Sequence, residues 1–109
     1  METIKKYTNN QTDLAVLLDA LSHPARLQIV EHLAQYDECP AGKISKKLPL
    51  SKSTVSQHMA KLKEAGLISC SPYGICHHYK LNEDRITEAF KAVQVFLKKI
   101  KERPEKKKC

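Results

Sequence analysis

Residues 49–66 constrain this chain more than any other stretch, because they read as one helix with two unlike sides. Ser51 suits the N-cap, since its hydroxyl can accept from the unpaired backbone N–H groups of Ser53 and Thr54. Leu50 before the cap and Val55 after it match a hydrophobic staple. Gly66 supplies a left-handed stop. Val55, Met59 and Leu62 recur at helical spacing and form a narrow apolar stripe. Ser53, Gln57, Ala60, Lys61 and Glu64 lie opposite, with Thr54 and Ser56 on the flanks. The first half of that polar face holds small hydroxyls, an amide and Lys52, with no acid before Glu64. Side chains of this kind enter a DNA major groove without clashing and donate to phosphates and base edges. The segment is expected to be a recognition helix.

Its surroundings support that reading. Residues 41–48 form a short helix with Ile44 and Leu48 pointing inward, and Pro49-Leu50 makes a tight corner. Two short helices joined in this way are a helix-turn-helix. Beyond Gly66, residues 67–71 and 75–81 read as strands around a Pro72-Tyr73-Gly74 turn, a hairpin placed as a wing. The expected fold is mainly α with a small β-hairpin, a winged helix-turn-helix. Before it, residues 12–21 form a helix that is apolar almost all round apart from Asp13 and Asp19, which requires burial on several sides. His23-Pro24 starts a second helix whose core stripe is Leu27, Val30 and Leu33, and residues 37–40 form a loop.

A final helix, capped within residues 82–84, carries Ile86, Ala89, Phe90, Val93, Phe96, Leu97 and Ile100. Packing on its own core is the plainer explanation. The length of the stripe instead predicts a dimer interface built from both terminal helices: Leu14, Leu17, Leu18, Phe90, Val93, Phe96, Leu97 and Ile100. Residues 1–11 are expected to be a flexible N-terminus, 12–101 the DNA-binding and dimerisation domain, and 102–109 a basic tail.

Charge agrees with a nucleic-acid partner. Nineteen basic residues against twelve acidic ones give +7 over 109 residues, which suits double-stranded DNA or another anionic surface. Residues 1–11 do not resemble a signal peptide, and no apolar run nears the length of about 20 residues that spans a bilayer, so a cytoplasmic protein is expected. No phosphate loop, His-Glu-x-x-His or nucleophile elbow appears, so neither catalysis nor a cofactor is expected.

The residues resemble a known family. Leu21-Ser22-His23-Pro24-Ala25-Arg26-Leu27-Gln28-Ile29-Val30 is similar to the L-x-x-P-x-R-L-x-I-L opening of the ArsR/SmtB regulators. Residues 51–59 resemble their S-Q-S-T-V-S-R-H-L, and Lys63-Glu64-Ala65-Gly66-Leu67-Ile68 followed by Tyr79-Lys80-Leu81 resembles L-x-x-A-G-L-V … Y-x-L. The matches keep order and spacing from about residue 14 to residue 82. The resemblance implies a homodimeric repressor on a palindromic operator, released by an effector that the sequence does not identify. Ser51, Lys52, Ser53, Thr54, Ser56, Gln57, His58 and Lys61 are the expected DNA-binding residues.

Three departures narrow that implication. Where metal-sensing members carry E-L-C-V-C-D-L, this chain has Glu38-Cys39-Pro40-Ala41-Gly42-Lys43-Ile44, so Pro40 and Gly42 stand at the thiolate positions. Residues 83–109 hold no histidine, which removes the family's second metal site. The wing tip, residues 71–76, lacks arginine. Four scattered cysteines do not suggest a disulfide framework in a reducing cytosol. Cys70 and Cys76 would face each other across a three-residue loop centred on Tyr73, whereas a turn between Tyr73 and Gly74 would set Cys70 opposite His77. Thiol sensing by Cys70 and Cys76 is one alternative, and a winged-helix module for an acidic protein partner is another. A metal on Cys70, Cys76, His77 and His78 is disfavoured, because His77 and His78 alternate across the strand.

Overall fold

The two turns that frame the 52–64 helix set the rest of the architecture. In the computed structural model, which describes residues 6–70 and 78–109, this helix is α4 (Lys52–Glu64). It follows α1 (Asn9–Ala20), α2 (Pro24–Leu33), β1 (Cys39–Pro40) and α3 (Ala41–Lys47). After it come β2 (Ile68–Cys70), β3 (His78–Leu81) and α5 (Glu83–Lys101). The architecture is a winged helix-turn-helix, mainly helical with one small antiparallel sheet of order β1-β3-β2.

Each junction has a local cause. Ser51 Oγ accepts from Thr54 N at 3.2 Å and starts α4. At its other end Gly66 takes φ 77°, Leu67 N donates to Leu62 O at 3.0 Å, and Gly66 N donates to Lys63 O at 2.9 Å. This pair of bonds satisfies the last carbonyls and turns the chain directly into β2. His23 Nδ1 accepts from Ala25 N at 3.0 Å ahead of Pro24 and caps α2. Asn82 caps α5, whose first turn is acidic (Glu83, Asp84) and last turn basic (Lys98, Lys99, Lys101), as the helix dipole favours. Asn82 also ties α5 to the exit of α4. Its Nδ2 donates to Gly66 O at 3.1 Å and its backbone N to Leu67 O at 2.9 Å, while Arg85 Nε donates to Ala65 O at 3.2 Å.

The core gathers one face from every element. Ile29, Leu33, Ile44, Leu62 and Leu67 are its largest fully buried side chains. Each contributes about 1.5–3 kcal/mol relative to an exposed position.

Four expectations about the elements need correction. α1 begins at Asn9, inside the segment expected to be flexible, because Thr8 and Gln11 form a reciprocal capping box. Residues 39–40 are a strand rather than loop, pairing Cys39 with Tyr79 and Pro40 with His78. In α2 the buried line is Ala25, Arg26, Ile29 and Leu33, and Leu27 is exposed. Nor is α1 buried on several sides: Leu14, Leu17 and Ala20 face inward while Val16 and Leu18 are about half exposed.

Candidate nucleic-acid interface

α4 divides its residues cleanly between core and solvent. Val55, Met59 and Leu62 pack inward together with His58. Ser51, Lys52, Ser53, Ser56, Gln57 and Lys61 are exposed and Thr54 is half-buried. The hydroxyls at the helix start form a cluster, with Ser51 Oγ 3.1 Å from Ser53 Oγ and 2.9 Å from Thr54 Oγ1. That cluster spends part of its hydrogen-bonding capacity on the cap. Gln57 has no such local commitment and stands on the exposed face beside Ala60 and Lys61.

His58 departs from its expected role. It is 9% exposed, and its Nδ1 lies 3.1 Å from Arg26 Nη1. Arg26 is a donor there, so Nδ1 accepts and the ring proton sits on Nε2. The His23 ring lies 4.4 Å away, tilted by 48°. Burial, then the neighbouring His23 and Arg26, hold the His58 imidazole below the ordinary histidine range. His58 is therefore an interior acceptor and does not reach a base edge.

Lys61 lies on the exposed face, with Nζ 3.5 Å from Asp19 Oδ2 of α1. Both ends are more than half exposed, so the pair is weak. The structure adds cations that the sequence reading passed over. Lys43, Lys46 and Lys47 are exposed on α3, the helix that precedes the α4 corner. In a helix-turn-helix the first helix crosses the DNA backbone, so these lysines have the chemistry for phosphate contact. Their Lys-x-x-Lys-Lys spacing was the available signal.

The sulfur chemistry also differs from expectation. Cys39 is buried in β1 with Sγ 3.1 Å from His32 Nε2. Burial pushes its thiol up against an opposing pull from Lys43, and burial together with Lys47 pushes His32 down, so both are neutral near pH 7. The hairpin register sets Cys70 opposite Tyr79, two or three residues past the partner that either tight turn would give. Cys70 is disulfide-bonded, whereas Cys39 and Cys109 are free. Cys76 and His77 lie outside the described residues. Among the described residues no three His, Cys, Asp or Glu side chains converge as a metal site requires, and no helix is long and apolar enough to cross a membrane.

The expected interface residues fall into two groups. Leu18, Phe90, Val93, Phe96, Leu97 and Ile100 are 37–60% exposed. Leu14 and Leu17 are 8% and 3% exposed and mostly covered within the protomer, Leu17 by the core, so they offer little surface to a partner.

Comparison with known proteins closes this reading. Residues 21–70 match the family model described as a helix-turn-helix domain. An ArsR-like transcriptional regulator from Rhodococcus sp. RHA1 shares the fold, with a TM-score of 0.74 at 19% identity over 86% of this chain and 88% of that one. The biofilm growth-associated repressor of Agrobacterium fabrum is 35% identical over 82 residues, 75% of this chain and 69% of the relative. The chain belongs to the ArsR family of winged helix-turn-helix transcriptional regulators. Within that family it is also similar to HlyU of Vibrio cholerae, named a transcriptional activator. The HlyU structure is matched with a TM-score of 0.63 at 33% identity, over 86% of this chain and 97% of HlyU. Family membership makes this protein a DNA-binding regulator of transcription.

Proposed function

We propose that two copies of this ArsR-family regulator pair through the exposed faces of α1 and α5 and set two α4 helices into successive major grooves of a palindromic operator, repressing transcription there. One observation carries the reading: α4 buries its whole apolar side within its own protomer and leaves Ser53, Ser56 and Gln57 free of the core. Gln57 reads a base, since a side-chain amide matches adenine in two places. Ser51 and Lys52 at the helix start, with Lys43, Lys46 and Lys47 of α3, hold phosphates on either side. Lys61 leaves Asp19 for a phosphate when DNA arrives. A two-fold protein imposes two-fold symmetry on its site, with half-sites about one helical turn apart.

Selecting bound duplexes from a random pool tests this directly. The expected result is an inverted repeat, and enrichment of a single unrepeated half-site, or no enrichment, would sink the dimeric operator.

A second reading has one observation in its favour, the disulfide at Cys70, the last residue of the strand that enters the hairpin. On it, operator affinity depends on the redox state of that bond. Affinity measured with and without a dithiol reductant separates the two readings, and equal values dismiss the redox branch.

A further inference from the structure

Arg26 is 9% exposed, yet none of the hydrogen bonds of its guanidinium goes to a carboxylate. Nε donates to Ala20 O at 2.7 Å and Nη2 to Asp19 O at 3.1 Å, two carbonyls in the last turn of α1. The negative end of the α1 dipole thus offsets part of the buried charge. The remaining contact is Nη1 to His58 Nδ1 at 3.1 Å, across to α4. One planar, rigid group therefore touches the end of a terminal helix and the middle of the helix that meets DNA, while belonging to neither. Among the described residues no carboxylate is buried. Asp19 directs its carboxylate at Lys61, and the neighbouring ring of His23 lies tilted against His58.

We infer that Arg26 and His58 are positioning residues for DNA recognition: the Arg26 fork, anchored on the α1 carbonyls, fixes the rotation of α4 about its own axis through His58. The inference deepens the operator reading and depends on it. His58 precedes Met59 and follows Gln57, so a small roll of α4 moves Gln57 across the base edge that it reads. Hydrophobic contacts from Val55, Met59 and Leu62 hold the helix in place but tolerate a roll, because dispersion is not directional. A hydrogen bond to a fixed fork does not tolerate it. Phosphate contacts through flexible lysines survive such a roll, whereas a bidentate base contact does not.

The prediction follows from that asymmetry. His58→Leu removes the acceptor at similar volume and leaves Nη1 unpaired. His58→Asn keeps an acceptor at the Nδ1 position. Both full-length variants are compared with the wild type by thermal melting, and by affinity for a selected duplex and a scrambled one at the same salt. His58→Leu should lose about tenfold or more on the selected duplex, equivalent to about 1.4 kcal/mol, with less than about twofold change on the scrambled one. His58→Asn should recover most of the loss. If His58→Leu does not fold, Arg26→Lys replaces it, since a lysine keeps the charge but not the fork. A folded His58→Leu or Arg26→Lys protein with the wild-type affinity ratio overturns the inference while leaving the operator reading intact. A wild-type protein that prefers no duplex removes both.

Discussion

α4 and α5 are both amphipathic helices, and they use their apolar residues in opposite ways. The 13 residues of α4 place Val55, Met59 and Leu62 inside the protomer, and its outward face is polar. The 19 residues of α5 bury only Ala89, leaving Phe90, Val93, Phe96, Leu97 and Ile100 exposed. A groove of about 490 Å³ remains between α1 and α5, walled by Leu14, Leu17, Val95, Phe96 and Ile100. Apolar burial that a single copy satisfies specifies the shape of a reading head. Apolar surface that a single copy leaves open requires something else to cover it, which a second copy does under the proposed function.

The comparison can be broken at several points. The largest effect is expected inside α4, where Leu62→Ala opens a cavity at a fully buried site and should lower unfolding free energy by about 2–5 kcal/mol. Chemical denaturation reads this, and a loss below about 1 kcal/mol would mean that the helix is not anchored as described. On α5 the expectation is reversed. Val93→Asp with Leu97→Asp should leave the fold intact, convert the particle to a monomer by light scattering, and weaken operator binding by about 10²-fold, because linked half-sites no longer bind together. A dimer of unchanged mass would show that this face is not the interface.

Gln57→Ala sharpens the outward side of α4. It should cost about 1–3 kcal/mol on the selected duplex and relax preference at one base position. Selection repeated with the variant checks this, and an unaltered motif would remove Gln57 from base readout. Protonation probes the inward side. Burial holds His32 and His58 below their ordinary value near 6.5, so the unfolded chain takes up protons first as pH falls. Their stabilising effect is complete above that value and declines as pH falls below it. Melting temperature should follow this course, with a shallower fall in His58→Asn, and equal slopes in the two proteins would contradict the buried neutral ring. The smallest effect belongs to Lys61→Gln, which should reduce the salt slope of DNA binding by about one. An unchanged slope would leave Lys61 with Asp19.

What the sequence made legible was local and periodic. The Ser51 cap, the Gly66 stop and the i, i+4, i+7 stripe of α4 each depend on neighbours within a turn or two. The Asn82 cap and the uncovered stripe of α5 were readable for the same reason. Less was visible where distant segments meet. Nothing in residues 37–40 announced a strand, because β1 exists only through its pairing with β3. The hairpin register escaped turn rules, which apply to tight loops. A wheel drawn from α4 alone puts His58 at the flank of the core stripe, and its partner Arg26, 32 residues earlier, is what that wheel leaves out. Leu27 left its expected core position for a related reason, since hydrophobicity ranks residues and does not foresee a guanidinium satisfied by the carbonyl end of another helix.

The bonds from Asn82 and Arg85 to Ala65, Gly66 and Leu67 weld the root of α5 to the exit of α4. A joint held by three bonds can act as a fulcrum. A twist applied along the long arm, by a partner or by any molecule lodged against it, arrives at the short arm as a change in pitch. Under the proposed function, the distance between two reading heads on a duplex is then set by the angle at which two long arms cross, far from any base pair.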